Sequence, residues 1–191
     1  MITQDRKRRV WVGVLAIGIF CLPLAAQDTG SLKVDYTRVT REIQGFEAAL
    51  NEVIMKTIAN PFGMPQKPKG VYLQGYGFTF QFIINTGRGL IHSPFGTFPD
   101  SAAISTDQKK QRIEGLKENL KNLLINQGGR LAQLQKGESI TIVAYFEEIS
   151  MDEGNVNKTL IMSIGKSDLD GLATKQVGFS ELKQRVKIVE Y

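Results

Sequence analysis

The chain has 191 residues, a formal net charge of +5, one cysteine (Cys21) and one histidine (His92). That inventory excludes the Cys/His ligand sets that hold zinc and, if Cys21 is removed with the leader described below, any disulfide or nucleophilic thiol. Residues 1–26 hold four basic residues and one acid, so the remaining 165 carry 20 Lys+Arg against 18 Asp+Glu, or +2; no basic stripe remains for nucleic acid.

Residues 1–26 have the layout of a secretory signal peptide. Arg6, Lys7, Arg8 and Arg9 form a positive start, residues 10–22 carry no charge, and Pro23-Leu24-Ala25-Ala26 supplies a breaker with small residues. The expectation is cleavage after Ala26 and export to the periplasm or the medium. An uncleaved membrane anchor is the minor alternative, since the apolar run of 17 residues is short for a span of roughly 20. Phe20 before Cys21 does not fit a lipidation site.

Residues 27–34 are small and polar and read as a flexible start; residues 35–191 read as a single domain. Tyr36, Val39, Ile43, Phe46, Leu50, Val53 and Ile58 recur at helical spacing and predict a helix over 35–60, ended by Asn60-Pro61. Three prolines in 61–70 predict an extended linker. Residues 71–85 predict one long strand, with Tyr72, Tyr76, Phe78, Phe80 and Phe82 on one face and Gly75 and Gly77 on the other. Two glycines at that spacing imply a bulge or the close approach of another backbone. Residues 86–106 show no period and predict a long loop.

A second helix is expected over 107–127, with Ile113, Leu116, Leu120, Leu123 and Leu124 as its stripe and Gly128-Gly129 as its stop. Strands over 139–149 and 158–165 form a hairpin. Ser167 and Ser180 are read as caps of two short helices, 168–175 and 181–189. The order is αβαββαα. A right-handed parallel crossover joins the first two strands, and the fold class is α/β (α+β): a mixed sheet of three strands or slightly more, packed by helices.

The stretch Val71-Tyr72-Leu73-Gln74-Gly75-Tyr76-Gly77-Phe78-Thr79-Phe80 resembles a strand of an uncharacterised group of exported bacterial proteins, in which Gly-Tyr-Gly follows a long N-terminal helix. Residues 166–170 and 179–186 are similar to the end of the same group. The resemblance covers about half of the exported part by two short motifs. It implies a signal-bearing αβαββαα unit and no activity.

No residue set predicts catalysis. His92 has Ser93 beside it but no Gly-x-Ser-x-Gly elbow, and reads as an exposed loop residue. Asp168-Leu169-Asp170-Gly171 lacks the distal glutamate of a calcium loop, and Asp152-Glu153-Gly154-Asn155 reads as a turn. Neither a metal nor another cofactor is expected. Thr86-Gly87-Arg88-Gly89 reads as a turn rather than an anion nest.

Two readings remain. In the first, the chain is an exported, non-enzymatic interaction module that binds an envelope protein or a second copy of itself. Its contact is loop 87–100, where Leu90, Ile91, Phe95 and Phe98 stand exposed or fold back over the sheet edge. The membrane enters only through an uncleaved leader, and nucleic acid not at all. In the second, Tyr72, Gly75, Tyr76, Gly77, Arg88 and His92 frame a site for a small molecule, or for a hydrolase, at the glycine gap.

Overall fold

The architecture was read from a computed structural model that describes residues 34–58, 66–85, 89–94, 96–100, 105–147 and 158–191. Residues Lys33–Tyr191 form one compact unit of mixed α and β structure. The leader 1–26, most of the expected flexible start and the acidic run 152–155 lie outside the described residues.

Helix α1 (Tyr36–Ile58) begins where Asp35 accepts the backbone N–H groups of Thr37 and Arg38, at 3.0 and 3.1 Å. That satisfies two of the donors a helix start leaves open. Val39, Phe46, Leu50, Ile54 and Ile58 are buried as one stripe, whereas Tyr36, counted into the stripe by its spacing, is 66% exposed on the first turn. The expected linker is partly a strand, β1 (Gln66–Leu73). It runs at the edge of the sheet, where Pro68 removes no ladder bond that the sheet requires, and its register is irregular between Gln66 and Lys69.

The single long strand expected over 71–85 is two strands, β1 and β2 (Gly77–Ile84), paired antiparallel. The chain reverses at Gln74-Gly75-Tyr76, closed by the Tyr76 N–H donating to Leu73 O at 2.9 Å. Gly75 sits at φ +85, which the third position of a type II turn needs. Alternation did not reveal the reversal because Tyr72 and Phe78 are cross-strand partners six residues apart. An even separation keeps both on the same face, so the period of two runs unbroken through the turn.

Residues 89–100, expected as loop, hold a separate antiparallel pair, β3 (Gly89–Ser93) and β4 (Gly96–Asp100). Pro99 lies within β4, and in a two-stranded ribbon every strand is an edge and tolerates proline. Helix α2 (Thr106–Gly128) starts at a reciprocal capping box of Ser105 and Gln108. It carries the chain to β5 (Ser139–Phe146), which pairs parallel with β2, from Gly77 opposite Ser139 to Ile84 opposite Phe146. Strand β6 (Lys158–Gly165) then pairs antiparallel with β5, as expected.

Helices α3 (Lys166–Ala173) and α4 (Phe179–Arg185) follow. Their N-caps are Gly165 and Gly178 without side-chain capping, in place of Ser167 and Ser180. The expected last helix stops at Val186, which is extended at ψ 115, and β7 (Lys187–Glu190) closes the far edge of the sheet against β6. The sheet therefore has five strands, in the order β1-β2-β5-β6-β7, instead of about three.

The helices form one layer. Phe46 of α1 stacks on Phe80 of β2 with ring centroids 4.2 Å apart. Leu169 of α3 and Ile140 of β5 both crowd Gly128 of α2, and α4 packs on α2 and α3. The inward residues of the three inner strands, from Phe78, Phe80, Phe82 and Ile84 to Ile140, Ile142, Ala144, Leu160, Met162 and Ile164, make the core with the helical stripes. No described helix packs on the opposite face of the sheet.

Candidate binding surface

Two of the residues expected to frame a small-molecule site, Tyr72 and Gly75, meet at a carboxylate that sequence reasoning passed over. Glu138 lies at the turn before β5 and is only 3% exposed. Its oxygens accept the Tyr72 hydroxyl at 2.9 and 3.2 Å, the Gly75 N–H at 2.8 Å and the Gln135 N–H at 2.8 Å. No lysine or arginine among the described residues pairs with it, so hydrogen bonds alone offset its burial. A second acid works on the same segment: Glu42 of α1 accepts the Ala132 and Gln133 N–H groups at 3.1 and 3.2 Å. The two carboxylates thereby hold segment 131–138 between α1 and the β1–β2 turn.

The gap beside Gly77 is filled. Gly77 has φ +107, and a Cβ placed on it would lie 2.0 Å from the Ser139 carbonyl oxygen of β5. Ser139 N–H donates to Tyr76 O at 3.0 Å across this contact. The glycine thus serves the close approach of two backbones, one of the two meanings its spacing carried. Tyr76 points away from it, 77% exposed, and Tyr72 packs on Phe78 at 4.8 Å. His92 and Phe98 take their places in the β3–β4 ribbon, opposite Thr97 and Ile91. Arg88 and Phe95 lie outside the described residues. The turn residues are brought together with Glu138, in a hydrogen-bonded structural cluster.

Burial, and then the bond to Glu138, push the Tyr72 hydroxyl up to about 12 from its ordinary 10. Tyr72 therefore stays a donor through neutral pH. A folded-state value above the unfolded one means that its contribution is fully present below pH 10 and is lost as pH climbs toward 12. Tyr72→Phe is expected to lower stability at pH 7 by about 1–2 kcal/mol. It is also expected to flatten the loss between pH 10 and 12, read from urea midpoints across that range. Parallel alkaline slopes in the two proteins would show that the hydroxyl bears no such linkage.

The larger unassigned surface is the open face of the sheet. On the inner strands its outward residues are Thr79, Gln81 and Ile83 of β2, Ser139, Thr141, Val143 and Tyr145 of β5, and Ile161 and Ser163 of β6, with Thr159 in the same phase but buried. None is charged. One cross-strand row reads Lys69–Gln81–Val143–Ile161–Val189, and the next reads Val71–Thr79–Thr141–Ser163–Lys187. Val71, Tyr145 and Val189 are 47, 40 and 53% exposed. Charge is confined to the two edges, as Lys69 and Lys187, and neither has an ion-pair partner among the described residues. An uncharged, partly apolar centre with a charged rim is the anatomy of a protein interface. The alternation of the strands already separates the two faces; what sequence reasoning lacked was that all the described helices take the same one.

Among the described residues no helix is long and apolar enough to cross a membrane, and no group of three or more His, Cys, Asp or Glu side chains could hold a metal ion. No protein-family model matches the chain, and neither a curated protein nor a solved structure matches it.

Proposed function

We propose that this chain is an exported, non-enzymatic interaction module that docks another protein on the open face of its sheet. The observation that carries the reading is the absence of charge from every outward position of β2, β5 and β6 beside exposed Val71, Tyr145 and Val189. A solvated sheet face ordinarily alternates with charged and strongly polar residues. Five strands of eight residues or fewer span roughly 24 by 26 Å at about 4.8 Å between strands and 3.3 Å per residue. That is on the order of 600 Å², near the roughly 800 Å² per partner of a specific interface.

The rim selects the occupant. Lys69 and Lys187 stand at opposite edges, so a second copy laid face to face with aligned strands would set lysine near lysine. A different protein with an apolar patch and acidic flanks is complementary to both edges. The export half of the reading is supported by the sequence of residues 1–26.

A photocrosslinking residue at position 145, exposed on the central strand near its end, should give a discrete adduct with a different protein in the native cell. The same residue at position 76, exposed but in the turn at the end of the sheet, should give none. Lys69→Glu with Lys187→Glu should abolish the adduct while the thermal unfolding midpoint is kept. A self-adduct at position 145 would replace this reading with homo-association, and equal adducts from positions 145 and 76 would remove the face as the docking site.

A further inference from the structure

At the other end of the sheet from Glu138, a cavity of about 370 Å³ opens between the N-terminal half of α2 and the ends of β5, β6 and β7. That volume lies at the small end of the roughly 300–1,000 Å³ of ligand pockets. It lies mainly on the helical side of the sheet, and Thr159 and Tyr191 carry its rim to the end of the docking face. Phe146 and Leu160, almost fully buried, form its apolar floor, and the more open Ile113 and Tyr191 flank it. Phe146 is opposite Lys158 in the β5–β6 register, and Leu160 is opposite Glu190 in the β6–β7 register.

Its charges divide into two kinds. Lys117 is only 13% exposed at the side chain and binds Glu114 and Glu190, each at 2.7 Å, so it ties α2 to β7. These partners outweigh the burial and raise the affinity of its amine for the proton. Lys110 and Lys158 also line the cavity, are exposed, and have no ion-pair partner among the described residues. The three lysines and two glutamates of the lining leave one net positive charge. An apolar chamber with two uncommitted ammonium groups calls for a ligand with an apolar body and one anionic end.

We propose that this cavity binds a small amphipathic carboxylate, with its hydrocarbon part on Phe146, Leu160 and Ile113 and its carboxylate between Lys110 and Lys158. Two lysines suit this role because each is a flexible point charge that can reach a single anion. Their long stems also cover apolar surface as they do so.

The test is calorimetric titration of the full chain with decanoate, held below its aggregation concentration, beside decanol and decylammonium. The expected result is one-to-one decanoate binding, at least tenfold tighter than either of the other two. Lys110→Glu with Lys158→Glu should weaken decanoate at least tenfold and reverse the preference toward decylammonium. Both side chains are exposed and without partners, so the variant should keep the unfolding midpoint of the parent. No decanoate binding by the parent, equal affinity for decanoate and decanol, or unchanged decanoate affinity in the folded double variant would each overturn the assignment.

Discussion

Replacing Glu138 with alanine is expected to cost about 3–5 kcal/mol of folding stability, a large fraction of the roughly 5–15 kcal/mol that holds a domain of this size together. The carboxylate is the shared acceptor of the Tyr72 hydroxyl and of the Gly75 and Gln135 N–H groups. Removing it leaves three donors without a partner, each costing about 1–3 kcal/mol where water does not reach. Glu138→Gln keeps one acceptor oxygen but turns an amide N–H₂ toward a backbone N–H. It should cost about 1–2 kcal/mol, between the parent and the alanine variant. Urea midpoints at constant m-value measure both. An alanine variant within 1 kcal/mol of the parent would mean that water replaces the carboxylate and that the cluster does not organise the turn.

Gly77→Ala is expected to be as severe, about 4 kcal/mol, again a large fraction of the total. Two penalties coincide there: the left-handed conformation at φ +107 and the collision of a Cβ with the Ser139 carbonyl oxygen 2.0 Å away. The second cannot relax locally, because that oxygen belongs to the backbone of β5 at the start of its parallel pairing with β2. The control is Gly75→Ala, two residues earlier, also at positive φ but with no heavy atom within 4 Å of the added Cβ. It should cost only the conformational term of about 1–2 kcal/mol. Circular-dichroism melts of the pair separate strain from collision. Equal midpoints would show that the two strands can part at this point without loss.

The two effects bear on function through the same route. Neither residue offers a side chain to the open face or lines the cavity, but both fix the start of β2 and β5. The register of those strands sets which side chains line the face and where Phe146 falls beside the cavity. Loss of docking in either variant is therefore expected only in proportion to loss of fold.

Several elements were legible from the residues alone because each carries its own period over many positions. Helix α1 buries Val39, Phe46 and Leu50, and α2 buries Leu116, Leu120 and Leu124, along the stripes that their spacing marks. Strands β5 and β6 alternate strictly and lie next to each other in sequence, so their pairing and the core role of Phe78, Phe80 and Phe82 follow from local pattern. The elements missed are short or at edges. Strand β1 contains proline, β7 has four residues that also fit one helical turn, and the β3–β4 ribbon is punctuated by glycine and proline. An edge strand makes half the ladder bonds of a central one and needs less from its sequence, so its signal is correspondingly weak.

The candidate sites divide in the same way. The sequence alone pointed to a bulge or a close approach at Gly75 and Gly77, and the close approach holds at Gly77, whereas Gly75 serves a chain reversal. The sequence also determined that Thr, Val, Ile and Tyr alternate with the core residues on three strands. Only the tertiary structure decided that the close approach is made by Ser139, sixty-two residues further on, and that Glu138 is buried beneath the turn. Only it decided that the four described helices share one face of the sheet, with no described helix on the other. These outcomes depend on contacts between segments far apart in the chain, and a local period records which side chains share a face, not what is packed against it.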